Sequence, residues 1–114
     1  MSFPQRGEIY WVKLDPAVGS EIAKTRPAVI ISNDIGNQYA DRVIIAPISS
    51  GSIGKIYPFE VRLESSEGGL VAASKVLLDQ IRTIDKSRLG NRIGALTPTR
   101  MEEINRAIKL SLAV

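Results

Sequence analysis

The chain has 114 residues, and its 15 lysines and arginines outnumber its 12 acidic residues, which gives a formal net charge of +3 at pH 7. It contains no cysteine and no histidine, which excludes disulfides, thiolate or imidazole metal ligands, cysteine nucleophiles and serine–histidine pairs. Histidine is the usual general base near neutral pH, so any catalysis must proceed without it. The charge is a mild bias toward anionic partners, and the length predicts one domain over residues 1–114.

No apolar run in the sequence approaches the length of a membrane span. The N-terminal segment MSFPQRGE also lacks the apolar core of a signal peptide. We therefore expect a soluble, cytoplasmic protein that has no membrane partner.

The first third of the chain predicts strands separated by polar loops. GEIYWVKL (7–14) is rich in β-branched and aromatic residues and predicts a strand whose two faces are both largely apolar. The next segment, 15–25, contains a proline and a glycine and predicts a long loop, a kind of connection that often carries function. PAVIIS (27–32) predicts a second strand, and NDIGNQYADR (33–42) predicts a short helical turn.

The middle of the chain continues the same pattern. VIIAPIS (43–49) is a continuous apolar run and predicts a buried strand, which the flexible Ser/Gly loop SGSIGKI (50–56) follows. YPFEVRLE (57–64) alternates between apolar and polar residues and predicts a half-buried strand. After a turn at 66–69, LVAASKVLLDQIRTI (70–84) predicts either one long strand or two strands with a bend.

The C-terminal segment has a different period. Residues 85–96 are mixed and interrupted by two glycines. Thr97 can cap a helix that begins at Pro98, and apolar residues then recur at helical spacing at Met101, Ile104, Ile108 and Leu112. The sequence therefore predicts a helix over 98–112. Five to seven strands followed by one helix predict a mainly β fold with a C-terminal helix, built as a small barrel.

Arg26 stands at the start of the second predicted strand. The residue before a proline is kept extended, and Pro27 suits the first position of a strand. A guanidinium on such a rigid stem can hold a phosphate through two parallel hydrogen bonds. On composition alone, the favoured alternative is a surface arginine paired with Asp34 or Glu21.

A serine and glycine loop follows the third predicted strand, with Ser49, Ser50 and Ser52 placed among its glycines. Its hydroxyls and free backbone N–H groups can bind an anion, although a solvated connector is the ordinary interpretation of such a loop. Asp79 and Gln80 are polar within an apolar stretch. A buried carboxylate there needs a partner, for which Arg82 or Arg26 could serve, and the pair is either functional or part of a core hydrogen-bond network.

Two further groups of residues have alternative interpretations. A basic cluster can follow a phosphate backbone, or it can form a solvated face; its members are Arg82, Lys86, Arg88 and Arg92. Tyr10 and Trp11 can stack on a nucleobase, but packing in the core is the favoured interpretation for both.

Four motifs occur in one order and together resemble the MazF/PemK/Kid family of toxin–antitoxin ribonucleases. They are RGEIYWVKLDPAVGSE, TRPAVIISND, IIAPISS and LLDQIRTID. The resemblance covers essentially the whole chain and implies an SH3-like barrel, a homodimer, and cleavage of single-stranded RNA at short specific sequences without a metal or other cofactor. It also implies products with a 5′-hydroxyl and a 3′ phosphate, often 2′,3′-cyclic, and a small acidic antitoxin that blocks the site.

The resemblance also implies roles for particular residues. The family's catalytic arginine falls on Arg26, its active-site hydroxyl residue on Ser49, and its two acidic positions on Glu21 and Asp79. Ser49 replaces the commoner threonine and so lacks a methyl group that restricts the rotamer. Leu77 stands where relatives of the PemK/Kid type have a second arginine. Arg26 with Ser49 is therefore the expected catalytic pair, and either acidic residue remains a candidate for the proton acceptor.

The loops 15–25 and 50–56 are expected to line the RNA groove. The residues predicted to bind RNA are Lys24, Thr25, Ser50, Ser52, Lys55 and Gln80. Two alternatives have the same fold: a gyrase-poisoning toxin, and a non-catalytic SH3-like module that binds RNA or a protein. For the homodimer, the doubly apolar first strand and the helix face of Met101, Ile104 and Ile108 either pack across a two-fold axis or belong to the core.

Overall fold

The computed structural model describes residues 3–114, in which seven strands form one antiparallel sheet that a long helix follows. Met1 and Ser2, which the predicted domain includes, lie outside the described residues. The strands are β1 Glu8–Lys13, β2 Thr25–Ile30, β3 Arg42–Ser49, β4 Glu60–Leu63, β5 Ser74–Leu77, β6 Arg82–Asp85 and β7 Leu89–Ala95. The helices are α1 Asp34–Tyr39 and α2 Pro98–Leu112, and two 3₁₀ turns span Glu67–Gly69 and Lys86–Arg88.

The long strand β3 connects the two halves of the sheet. The strand order is β4–β5–β3–β2–β1–β7, and β6 pairs with the first half of β3. Ile48 and Ser49, at the end of β3, pair instead with β5. Within residues 3–114, β4 and β7 stand at opposite ends of this order and form no ladder with each other, so the barrel is open. The predicted mainly β fold with a C-terminal helix is confirmed, and the term barrel applies only loosely.

Both faces of the first strand are covered, as its apolar pattern predicts. Ile9 belongs to a cluster that α2 covers through Ile104 and Ala107. Val12 and Leu14 belong to a second cluster with residues of β2, β3 and β6. These two clusters place the site residues of β2 and β3 on a rigid, well-packed support.

The helix α2 has the bounds that the sequence predicts, because its end signals are local. The Thr97 hydroxyl accepts a hydrogen bond from Arg100 N at 3.2 Å, and Pro98 occupies the first turn, where no N–H is needed. At the other end, Ala113 takes the left-handed conformation with φ 59°. None of the helices in the described part of the chain has the length and apolar character needed to cross a membrane.

The fourth strand is shorter than the predicted 57–64. Residues 57–60 form a turn in which Glu60 N donates to Tyr57 O at 2.9 Å, and Tyr57 N donates to the Glu60 carboxylate at 3.0 Å. Pairing with β5 therefore begins only at Glu60. The segment 70–84 divides into β5 and β6, the second of the two predicted arrangements.

The seventh strand lies in the segment that the sequence predicts to be mixed. Gly94 pairs with Ile9 of β1 and lies so close to the 3₁₀ turn that a Cβ there would be 2.2 Å from Gly68 O. Gly90 similarly packs against Trp11. The two glycines thus permit close backbone contacts, and they do not interrupt the strand.

Candidate active site

Arg26 lies on β2 opposite Val12 of β1, and its side chain is half-buried. Its Nε donates a hydrogen bond to Ala23 O at 2.8 Å, which fixes the direction of the guanidinium. Within residues 3–114 the side chain makes no ion pair. The guanidinium therefore has no carboxylate partner among the described residues.

The alternative in which Arg26 pairs with Asp34 or Glu21 is wrong. Asp34 accepts a hydrogen bond from Arg6 N at 2.7 Å, close to the start of α1. Glu21 accepts one from Val18 N at 2.6 Å and so closes a turn of its own loop. Both carboxylates accept hydrogen bonds from backbone N–H groups, and contacts of this kind cannot be predicted from the sequence.

Arg26 lines an open pocket of about 190 Å³ together with Trp11 and Ser50. The other lining residues are mostly apolar and include Ile48, Leu70, Val71 and Ile93. Trp11 is 44% exposed, so the expectation that it packs in the core is wrong. Its partner across the β1–β2 ladder is Pro27, which lines the same pocket. Tyr10, by contrast, packs against the second core cluster as expected.

Ser49 is the last residue of β3, and its Oγ accepts a hydrogen bond from Gly51 N at 3.1 Å. The β2–β3 ladder pairs Ala28 with Pro47. The same register continued by two residues places Arg26 opposite Ser49. The residue that lines the Arg26 pocket, however, is the neighbouring Ser50.

Glu21, Asp79 and Gln80 line a second pocket, of about 350 Å³. The Gln80 side-chain oxygen accepts a hydrogen bond from Ile22 N at 2.7 Å and so ties this pocket to the β1–β2 loop. The adjacent residue of that loop, Ala23, binds Arg26. The structure thus brings three predicted site residues together, but in a pocket beside that of Arg26.

The expectation of a buried carboxylate at Asp79 is wrong, because β5 ends at Leu77 and Asp79 lies exposed on the turn before β6. Neither of the expected partners binds it. Arg82 donates to Leu14 O at 2.8 Å, and Arg26 donates to Ala23 O.

The other residues predicted to bind RNA lie on the two loops that flank Arg26 and Ser49, except Thr25, which begins β2. Lys24, Thr25, Ser52 and Lys55 are all exposed. Lys24 adopts a positive φ of 71°, and its backbone N donates to Asp15 at 2.9 Å. The Lys55 ammonium lies 5.0 Å from the centre of the Tyr57 ring.

The four cations of the basic cluster all bind groups of the chain itself. Arg82 and Arg88 donate to carbonyl oxygens at the start of the β1–β2 loop. Lys86 donates to Asn37 O, and Arg92 forms an ion pair with Glu8 at 2.7 Å. The cluster therefore has a structural role, and its two loop contacts were not predicted from the sequence.

Three carboxylates outside the site, Glu8, Glu67 and Asp85, have lowered pKa values. Burial acts to raise the pKa of Glu8, but hydrogen bonds from Gln5 N and from Arg92 outweigh it, and the pKa is lowered overall. The hydrogen bond from Arg100 lowers the pKa of Glu67. Within residues 3–114, no group of three or more acidic, cysteine or histidine side chains is arranged to hold a metal ion.

Comparison with known proteins agrees with this geometry. Residues 5–112 match the family described as the PemK-like, MazF-like toxin of type II toxin–antitoxin systems. The chain is 44% identical to Endoribonuclease MazF of Staphylococcus saprophyticus over 96% of this chain and 92% of that protein. It is 38% identical to Endoribonuclease EndoA of Bacillus subtilis over 96% of this chain and 95% of that protein.

A solved structure has the same fold. It is an endoribonuclease in complex with its cognate antitoxin from Mycobacterial species, and it aligns with a TM-score of 0.81 at 26% identity. The alignment covers 97% of this chain and 96% of that chain. The family match and the similarity to these relatives both extend over nearly the whole length, and the chain belongs to the PemK-like, MazF-like toxin family of type II toxin–antitoxin systems.

Proposed function

We propose that the chain is a sequence-specific endoribonuclease that cleaves single-stranded RNA without a metal ion, and that a cognate antitoxin protein inhibits it. The observation that carries this proposal is the open pocket in which the Arg26 guanidinium is oriented by Ala23 O and has no acidic partner among the described residues. The names of the relatives from Staphylococcus and Bacillus support the activity. The antitoxin complex of the mycobacterial structure supports the inhibitor.

RNA supplies its own nucleophile, the 2′-hydroxyl, which attacks the phosphorus and displaces the 5′-oxygen of the next nucleotide. The leaving 5′-oxygen takes up a proton from water, so the products are a 2′,3′-cyclic phosphate and a 5′-hydroxyl. The enzyme needs only to orient the attack and to stabilise charge on the phosphorane. Arg26 binds the non-bridging oxygens as that charge develops, because its Nε is already engaged and its side chain lines the pocket. Ser49 orients the scissile phosphate. Since its Oγ accepts from Gly51 N, the hydroxyl proton is available for donation to a phosphate oxygen.

The proton of the 2′-hydroxyl passes to Glu21 or to Asp79, because arginine holds its proton too tightly to act as a base. Both carboxylates line the neighbouring pocket and not that of Arg26. Either one therefore takes part only when the RNA spans both pockets across the Glu21–Ala23 segment.

The RNA chain on either side of the cleaved bond contacts the two flanking loops. Lys24 and Lys55 are exposed there and pair with phosphates, while Thr25, Ser52 and the Gln80 amide offer hydrogen bonds. Trp11, exposed beside Arg26, offers a flat apolar surface on which a base can stack.

We further propose that residues 1–114 act as one domain in the cytoplasm and form a homodimer. Of the helix face considered for the two-fold contact, Ile104 is fully buried, and Met101 and Ile108 pack against the core, so all three serve the protomer itself. An apolar groove between α2 and the sheet remains open, and in it Ile44 is 38% and Leu112 is 56% exposed. Sedimentation of Leu112→Glu beside the parent tests this contact, and a monomeric variant is the expected result.

The activity is tested with purified Arg26→Ala, Ser49→Ala and parent proteins on single-stranded RNA in the presence of EDTA. Arg106→Ala is the matched control, because Arg106 is an exposed arginine on α2 outside both pockets. We expect the Arg26 variant to lose on the order of 100-fold or more in rate, and the control to match the parent. Full cleavage by the Arg26 variant refutes the assignment, and a strict requirement for magnesium refutes the mechanism. Intact RNA with stalled supercoiling would indicate a gyrase poison.

A further inference from the structure

Lys75 and Glu60 form a buried ion pair that neither the proposed mechanism nor the sequence motifs use. Lys75 lies on β5 and Glu60 begins β4. Their charged atoms are 2.9 Å apart, and each side chain is only 7% exposed. Among the ion pairs of residues 3–114, this is the one in which both partners are closed to water.

The pair holds the end of the loop that follows Ser49. The Lys75 ammonium also donates to Lys55 O at 3.2 Å, and the Glu60 oxygen that accepts from Lys75 also accepts from Tyr57 N at 3.0 Å. One buried contact thus fixes two backbone groups of the segment 55–57.

A second cation holds the middle of the same loop. Arg62 of β4 donates to Ile53 O at 3.2 Å. In the antiparallel ladders Lys75 is the partner of both Ser49 and Arg62, so the three residues form one row across β3, β5 and β4. The loop 50–56 is therefore bound to the same row of residues that ends in the predicted catalytic hydroxyl.

Burying two charges does not by itself explain this arrangement. A buried ion pair is often no more stabilising than two apolar side chains of similar volume, because both charges must leave water. An apolar pair at these positions would leave Lys55 O and Tyr57 N without their partners. What the ion pair adds is a defined loop conformation.

We propose that Lys75 and Glu60 are positioning residues that set the conformation of loop 50–56 relative to Ser49 and thereby select the RNA sequence that is cleaved. This inference rests on the proposed ribonuclease activity. The loop carries Ser50, Ser52 and Lys55, all exposed, so a change in its path moves the groups that contact the RNA while Arg26 stays in place on β2.

The test compares Lys75→Met with the double variant Lys75→Met/Glu60→Gln. The single variant leaves a buried carboxylate without its partner, and we expect its melting temperature to fall by about 10 °C or more. The double variant removes both charges and regains most of that loss. Its fragments, sequenced at their 5′ ends, are nevertheless expected to show relaxed sequence preference. We expect its KM to rise on the order of tenfold, with kcat within about threefold of the parent.

Arg92→Met/Glu8→Gln is the matched control, since it removes an ion pair of similar length away from the loop. It is expected to keep the parent's cleavage sites. A purely structural role predicts that the double Lys75 variant regains the parent's sites and KM together with its melting temperature, and that result overturns the proposal.

Limited trypsin digestion separates this inference from the proposed activity. The bond after Lys55 is exposed, and its carbonyl is held by Lys75. We expect trypsin to cut there on the order of tenfold faster in the double variant than in the parent, with other tryptic sites unchanged. If the parent leaves RNA intact, the proposed function is refuted. Faster tryptic cleavage after Lys55 in the double variant would still support the contact between Lys75 and the loop. Equal cutting at Lys55 refutes that contact whether or not RNA is cleaved.

Discussion

Gly94→Ala tests the close approach of β7 to the 3₁₀ turn that helps to form the Arg26 pocket. A Cβ at Gly94 would lie 2.2 Å from Gly68 O and 2.6 Å from Gly68 C, whereas ordinary contacts begin at 3.4 Å. Both obstructing atoms belong to the backbone, so no side-chain rotation can relieve the contact. The 3₁₀ turn therefore has to move away from the strand. Gly69, at the end of the turn, and the next residue, Leu70, line the Arg26 pocket and move with it.

Overpacking of this kind costs about 1–3 kcal/mol, which corresponds to a melting temperature roughly 4–20 °C below that of the parent for a domain of this size. The assay is thermal unfolding followed by circular dichroism. The control is Gly54→Ala, because a Cβ at Gly54 meets nothing within 4 Å, and we expect it to melt within about 3 °C of the parent. If Gly94→Ala melts as the control does, the close packing of β7 on the turn is refuted.

Three further predictions concern the core, the RNA pocket and the acid stability. Ile104→Ala removes a fully buried side chain of α2, and we expect a loss of about 2–5 kcal/mol in the free energy of unfolding, measured by urea denaturation. Trp11→Ala is expected to raise KM for RNA by roughly 5- to 160-fold, while Trp11→Phe keeps most of the affinity, since stacking on a base is worth about 1–3 kcal/mol. Because Arg100 lowers the pKa of Glu67, the stability from this pair is present above the unfolded-state pKa and is lost as the pH falls through the folded-state pKa. The difference in melting temperature between the parent and Glu67→Gln should therefore shrink from about pH 6 to about pH 3, and a constant difference contradicts this.

The elements with local signals were predictable from the sequence. The bounds of α2 follow from Thr97 and Pro98, which act on the helix end directly. The sequence does not predict β7, because Gly90 and Gly94 are of a residue type that disfavours both helices and strands. The close contacts that require these glycines are made with β1 and with the distant 3₁₀ turn. Contacts of that kind are not encoded within the segment itself.

In the candidate site too, local features are predictable from the sequence, whereas contacts with backbone atoms or distant segments are not. Pro27 made the extended setting of Arg26 predictable, but its partner was not, since Ala23 O is a backbone atom. Asp79 was expected to be buried because it interrupts an apolar run, and the turn between β5 and β6 exposes it instead. Lys75 also lies in an apolar run, but unlike Asp79 it is buried. Its buried charge is compensated by Glu60, which is distant in the sequence.

The availability of Arg26 depends on where the acidic residues of the chain are engaged. Nine carboxylates accept hydrogen bonds from other cations or from backbone N–H groups. They are Glu8, Asp15, Glu21, Asp34, Glu60, Glu64, Glu67, Asp85 and Glu103. An arginine without a carboxylate partner attracts any phosphate or carboxylate that reaches its pocket. A polyanionic substrate and an acidic inhibitor would therefore compete for the same guanidinium. Under the proposed function, and in a chain without histidine, both recognition and catalysis are expected to depend on this guanidinium.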